Sequence, residues 1–148
     1  MFPGIACLNR GIGSDTTAGL LHRVDEIVLH RPNKIFILIG INDLSYGMTP
    51  EQAKNNMAAI IDYIHSELPE CEIFLESVLY AKNIDNNDVD LLNDYYKSVC
   101  AENDFAIFVD LRSAINFEGG GQPYSEDGVH LNGDGYASIA LVLKDYVY

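Results

Sequence analysis

Lys34-Ile35-Phe36-Ile37-Leu38-Ile39-Gly40-Ile41-Asn42-Asp43 is the stretch that decides the architecture of this 148-residue chain. Five consecutive apolar residues, Ile35 to Ile39, follow the breaker Arg31-Pro32-Asn33 and stop at a glycine. A run of that length and composition predicts a strand covered on both faces, because a strand with one wet face alternates apolar and polar residues and this one does not. Strands buried on both sides belong to parallel sheets held between layers of helix.

Working outward, the same punctuation recurs and predicts four strand-then-helix units. A first strand is expected near Gly4 to Asn9, followed by a helix from about Asp15 with Leu20, Leu21, Val24, Ile27 and Val28 on one face. Thr49-Pro50-Glu51-Gln52 combines a capping residue, a proline at the first helical position and a glutamine at the third, so a second helix starts there. It turns Ala53, Met57, Ile60, Ile61, Ile64 and Leu68 inward. A third strand fits Ile73 to Leu79, and a helix near Asp88 to Glu102 carries Val89, Leu92, Tyr96, Val99 and Cys100 on one stripe. Phe105 to Val109 reads as the fourth strand. A long connection from Leu111 to Val129 contains Gly119-Gly120-Gly121, and a last helix from about Gly133 buries Ile139, Ala140, Leu143 and Val147. In such α/β sheets ligands bind beyond the carboxyl ends of the strands, which is where Asn9 to Asp15, Gly40 to Tyr46 and Asp127 to His130 all fall.

Composition bounds the rest. At 48% hydrophobic residues and this length, a single domain spanning 1–148 can bury a core without staples. A formal net charge of -13 with no basic cluster argues against nucleic acid and anionic membrane surfaces, and favours a neutral or cationic small-molecule ligand. Three scattered cysteines, Cys7, Cys71 and Cys100, suggest neither a disulfide framework nor a zinc site and are expected to be buried thiols. No stretch approaches transmembrane length, and the first residues lack the pattern of a signal peptide. The expected location is cytoplasmic, with a leader ahead of Met1 left open.

Three segments carry residues with chemistry to offer. Asp127-Gly128-Val129-His130 places a carboxylate three residues before an imidazole, which in one helical turn would let the acid hold one ring nitrogen and leave the other free to take a proton. The competing reading is a helix cap and a satisfied surface histidine. Asn42 offers an amide to a carbonyl oxygen acquiring negative charge, with Gly40 leaving room for a substrate; an Asx turn closing the strand fits equally well. Asp43 reads as a cap or turn residue. Asn9-Arg10-Gly11-Ile12-Gly13-Ser14-Asp15-Thr16-Thr17 has the shape of an anion-binding turn but lacks the Gly-Lys-Ser/Thr ending of a phosphate loop, so nucleotide binding is disfavoured. His22, His30 and His65 fall on helices away from strand ends and are expected to be exposed or partly packed. No metal and no cofactor are implied.

Taken together and in this order, the three segments resemble the SGNH hydrolases, also called the GDSL esterase and lipase family. Asn9 to Thr17 is similar to that family's second block, Gly40-Ile41-Asn42-Asp43 to its Gly-x-Asn-Asp block, and Asp127-Gly128-Val129-His130 to its Asp-x-x-His block. The resemblance implies a flavodoxin-like three-layer αβα sandwich with a parallel sheet. It also implies His130 as general base, Asp127 as its orienting acid and Asn42 as an oxyanion donor, with substrate contacts at Ser14 and Gly40. Ser14 stands where the family prefers the glycine whose backbone N–H is a further donor.

The family's Gly-Asp-Ser block, which supplies the nucleophile after the first strand, has no counterpart in the 148 residues. The expectation from the sequence is therefore an amino-terminally incomplete domain lacking its first strand, and self-association to cover the gap. Two functions follow. One is a serine ester hydrolase for small acyl or acetyl esters, impaired in this chain; the other is a non-catalytic binding module that keeps the fold.

Overall fold

The computed structural model describes residues 4–115 and 123–148. Three parallel strands, β1 (Lys34–Ile37), β2 (Glu72–Glu76) and β3 (Ala106–Val109), lie in the order β1-β2-β3. Ile35 pairs with Ile73 and Leu75 with Phe108, so each strand sits beside the next in sequence. The crossovers are helical: α3 (Pro50–Glu67) joins β1 to β2, and α4 (Asn86–Ala101) joins β2 to β3. The remaining helices are α1 (Thr17–Val28), a short α2 (Ile41–Ser45) and α5 (Gly133–Val147).

The central run is covered less evenly than expected: Ile35 and Ile37 are buried, Phe36 between them is half-buried, and Leu38, past the end of β1, is 49% exposed. Ile35, Ile37, Ile73 and Leu75 point to one face and pack with Leu20, Val24, Met57, Ile60, Ile61, Leu92 and Tyr96 from α1, α3 and α4. Phe36 and Phe74, the residues between them, stack on the other face with their ring centroids 4.6 Å apart. There they join Val109, Leu111 and Ile139 of α5. Burying a side chain of this size is worth about 2 kcal/mol, so both faces contribute.

Helix starts follow their expected caps. Thr49 and Gln52 form a reciprocal capping box with Pro50 in the first turn of α3. All six inward positions expected for that helix are buried. Asn132 accepts from Asp134 and Gly135 at the start of α5. At the other end of α5, Lys34 Nζ donates to the Tyr146 carbonyl at 2.7 Å and the Tyr146 ring meets the edge of Phe74. The last turn of α5 therefore lies over the amino end of β1, and its first turn points toward the carboxyl edge of the sheet.

Several expectations need correction, among them the inward face of α5, where Ile139 is buried but Ala140, Leu143 and Val147 are only partly so. The segment Gly4 to Asn9 forms no strand: residues 4–14 are exposed and pair with none of the described strands, so the segment has the composition of a strand without a ladder to join. Cys7, carried on it, is exposed instead of buried, while Cys71 and Cys100 are buried as expected. The third predicted strand stops at Glu76, three residues before Leu79, because the Asn93 side chain takes over both backbone groups of Val78 (2.8 and 2.9 Å) and ends the ladder. The Gly119-Gly120-Gly121 connection lies outside the described residues. No helix among the described residues is long and apolar enough to cross a membrane.

Candidate active site

β1 delivers Asn42 to the carboxyl edge through a tight turn. Gly40 adopts φ +128°, and a Cβ there would meet Leu92 Cδ2 at 2.9 Å, Tyr96 Oη at 3.0 Å and Val78 Cγ2 at 3.1 Å. The room left by its missing side chain is thus filled by α4 and the end of β2. Tyr96 donates its hydroxyl to the Ile39 carbonyl at 3.3 Å. Burial first, and then the neighbouring Asp43 carboxylate, hold that phenol well above its usual range.

From α2, consecutive residues grip the turn ahead of α1. Asn42 Nδ2 donates to the Asp15 carbonyl at 2.9 Å. Asp43, with no exposed surface, accepts the Thr17 N–H at 3.1 and 3.0 Å and also the Thr17 hydroxyl. Asn56 of α3 donates in turn to Thr17 Oγ1 at 2.9 Å. Asp43 therefore anchors a helix end, though the helix is α1, 26 residues upstream. Both amide hydrogens of Asn42 can be used at once: one fixes the turn and the other remains for a ligand.

The turn itself is bent through Ser14, whose φ of +62° puts it in the left-handed region. A residue with a side chain pays about 1 kcal/mol there relative to glycine. Among the described residues the Ser14 N–H has no hydrogen-bond acceptor. The Asp15 carboxylate caps Thr16 N and receives two bonds from Arg23, at 3.0 and 2.6 Å.

The second half of the site is the segment before α5. Asp127 and His130 meet as expected, with Oδ2 2.7 Å from Nδ1, but not by a helical turn. Asp127 Oδ1 instead accepts the backbone N–H groups of Val129 and His130, both at 2.8 Å, in an Asx-type turn. The His130 side-chain hydrogen bond, those two backbone bonds and the Ser125 hydroxyl hold the Asp127 carboxyl well below the usual carboxylate range. With Nδ1 occupied by the acid, Nε2 of the well-exposed imidazole is open. The segment docks through Lys82 N–H to the Gly128 carbonyl at 2.8 Å, which sets it over the loop leaving β2.

Asn42, Ser14, Asp127 and His130 are all carried on segments at the carboxyl edge of the sheet. Hydrogen bonds join Asn42 to the Ser14 turn and His130 to Asp127; among the described residues none bridges the two halves. Sequence reasoning assigned no role to Arg23, which lies outside every block, or to Thr17 at the end of the second, since both roles depend on where α1 docks. Beside the loop after β2, a cavity of about 510 Å³ opens between α4 and the end of β3. Arg112 braces its wall by donating to Asp90 and, at 2.6 Å, to Tyr80 Oη. The Tyr80 hydroxyl bond, followed by Arg112, lowers the Asp90 carboxyl from its ordinary value. His22 and His30 are exposed, and His65 stacks on Phe105 at 3.6 Å, far from this edge. No described trio of His, Cys, Asp or Glu is placed to hold a metal ion.

The platelet-activating factor acetylhydrolase IB subunit alpha1 of Pongo abelii is 25% identical over 97% of the chain, and the chain spans 64% of that protein's length. A Streptococcus pneumonia protein, whose solved structure is named for platelet activating factor, is 28% identical with a TM-score of 0.90, covering 99% of this chain and 74% of that one. The structure of a GDSL-like lipase from Bacteroides thetaiotaomicron shares the fold at 23% identity and a TM-score of 0.80, covering 93% of this chain and 73% of that one. Residues 3–138 match the GDSL-like Lipase/Acylhydrolase family, and the chain belongs to that family.

Proposed function

We propose that the site is that of a serine ester hydrolase for small acyl or acetyl esters, impaired in this chain because no Gly-Asp-Ser supplies the nucleophile; its steps are those of the site with the serine in place. His130 Nε2 takes the proton of the attacking hydroxyl and returns it to the departing alcohol, while Asp127 fixes the ring and faces the imidazolium that forms. The free amide hydrogen of Asn42 and the N–H of Ser14 receive the oxygen that gains charge in the tetrahedral intermediate. Water then releases the acid from the acyl-serine. The observation that carries the reading is the 2.7 Å contact between Asp127 Oδ2 and His130 Nδ1, which leaves Nε2 as the open nitrogen. The acetylhydrolase name of the Pongo abelii relative supports an acetyl group as the acyl part.

A second reading, a binding module that keeps the hydrolase fold without turnover, is favoured by one observation: the 148 residues contain no Gly-Asp-Ser. Turnover of p-nitrophenyl acetate and labelling by a fluorophosphonate, with the labelled serine identified by mass spectrometry, separate the two. The hydrolase reading expects a single labelled serine and turnover abolished by His130→Ala. Neither labelling nor turnover leaves the binding module.

A further inference from the structure

Arg23, one turn and a half into α1, reaches back to both ends of the turn that precedes its own helix. Nε and Nη2 hold Asp15 Oδ2 at 3.0 and 2.6 Å, and Nη1 donates to the Arg10 carbonyl at 3.1 Å. The guanidinium thus closes a loop from residue 10 to residue 15 that contains Ser14 at φ +62°. This is a sheltered pair, with the side chains of Arg23 and Asp15 only 17% and 14% exposed, and a planar fork placed this way fixes direction as well as distance. Along residues 10–14 the fixings are few: an Asp15 N–H bond to the Ile12 carbonyl at 3.3 Å, a Gly11 bond to Asn9 at 2.9 Å, and the exposed pair of Arg10 with Glu26 at 3.4 Å.

We infer that Arg23 is a positioning residue: it straps the Ser14 turn in its left-handed form, so that the Ser14 N–H is held ready beside the turn's bond to Asn42. The inference rests on the reading that this N–H receives the oxyanion. Ser14 needs such a strap because its side chain disfavours the conformation, by about 1 kcal/mol, that a glycine would adopt freely. Asn42 and Asp43 fix the later part of the turn, at Asp15 and Thr17. Arg23 is the contact that ties residue 15 back to residue 10. A lysine could reach Asp15 but could not hold Asp15 and the Arg10 carbonyl together in one plane.

The test uses the whole chain with Arg23→Gln, Arg23→Lys and Ser14→Gly, alone and with Arg23→Gln. The intraresidue HN–Hα NOE, strong only at positive φ, and the Cα shift of Ser14 report its φ and need no turnover. In Arg23→Gln these should move toward averaged values while the amides of the α1–α3 core stay in place, and Arg23→Lys should restore them in part. With glycine at 14, whose conformation needs no enforcement, Arg23→Gln should perturb residues 13 and 15 less than it does in the serine background. Where p-nitrophenyl acetate is turned over, Arg23→Gln should lower kcat by about tenfold with KM nearly unchanged, the mark of a lost transition-state contact. An unchanged Ser14 signature in Arg23→Gln overturns the strap. So does collapse of the whole fold in both Arg23 variants, which would make the residue a general stability element. Absence of turnover in the unmodified chain counts against the hydrolase reading alone, and the spectra still decide the role of Arg23.

Discussion

Asp43 holds the backbone N–H and the hydroxyl of Thr17 from a position with no exposed surface, so the residue after the oxyanion-donor candidate is the anchor of α1. One short helix, α2, thereby sets both the amide of Asn42 and the helix that carries Arg23. The Gly-x-Asn-Asp block is a single mechanical unit in this fold: its asparagine grips the turn and its aspartate grips the helix behind it.

That arrangement predicts a graded loss. Asp43→Ala leaves the Thr17 donors buried without an acceptor and should cost about 3 kcal/mol, whereas Asp43→Asn keeps one acceptor oxygen but turns an amide against a donor, for about 1–3 kcal/mol. Urea denaturation followed by circular dichroism measures both. Equal stability of Asp43→Asn and the unmodified chain would show that the charge contributes nothing.

Gly40 gives a second expectation. A Cβ would approach Leu92, Tyr96 and Val78 to about 3 Å at a backbone angle that L side chains rarely adopt, so Gly40→Ala combines overpacking with strain. A loss of about 2–4 kcal/mol is expected, with displacement of the Asn42 amide visible as a changed side-chain NH₂ resonance. A variant within a few tenths of a kcal/mol of the parent would mean that α4 gives way freely.

How much of this was legible beforehand depended on whether a pattern was local. The run Ile35 to Ile39 announced a strand because strand propensity is local, but not its extent or its cover, since β1 ends at Ile37 and Leu38 is exposed; the box at Thr49 announced α3 because its bonds close within four residues. The residues of the Asp127 and His130 pair could be named for the same reason, although their local geometry proved to be an Asx turn. Gly4 to Asn9 misled because a strand requires a neighbour, and composition does not say whether one is present. The partners of Asp43, Arg23 and Asn93 could not be read because each acts on backbone between 13 and 26 residues away, at places fixed only after the helices dock.

Asp127 should titrate anomalously. Its carboxylate is favoured by His130, by two backbone N–H groups and by Ser125, so its pKa lies below the ordinary carboxylate value. For an acid depressed on folding, the hydrogen-bonded turn is fully formed above the ordinary value and lost as the pH falls through the lowered one. Following the carboxyl carbon of Asp127 by NMR from neutral to acid pH should find the midpoint well below 4. Ser125→Ala and His130→Ala should each move it upward, His130→Ala by more. A midpoint at the ordinary value would mean that the turn is not held in solution.

Glu76 predicts the opposite pH dependence. It ends β2 on the α5 face, only 6% exposed, beside Val109 and with no hydrogen-bond partner among the described residues. Burial alone pushes its carboxyl from 4.5 up to about 7. Between those two values the unfolded chain has released the proton while the native chain still holds it, so raising the pH favours unfolding. The contribution is present below the unfolded value, erodes through this window and is gone above about 7. Its size is at most about 3 kcal/mol, from 1.36 kcal/mol for each pH unit of difference. Replacing Glu76 with glutamine removes the titration, so the stability difference between Glu76→Gln and the parent should grow in the variant's favour from pH 4.5 to pH 7 and then level off. Urea midpoints taken every half unit across that range measure it, and parallel curves for the two proteins would show that Glu76 reaches water in the native state and is not held protonated under α5.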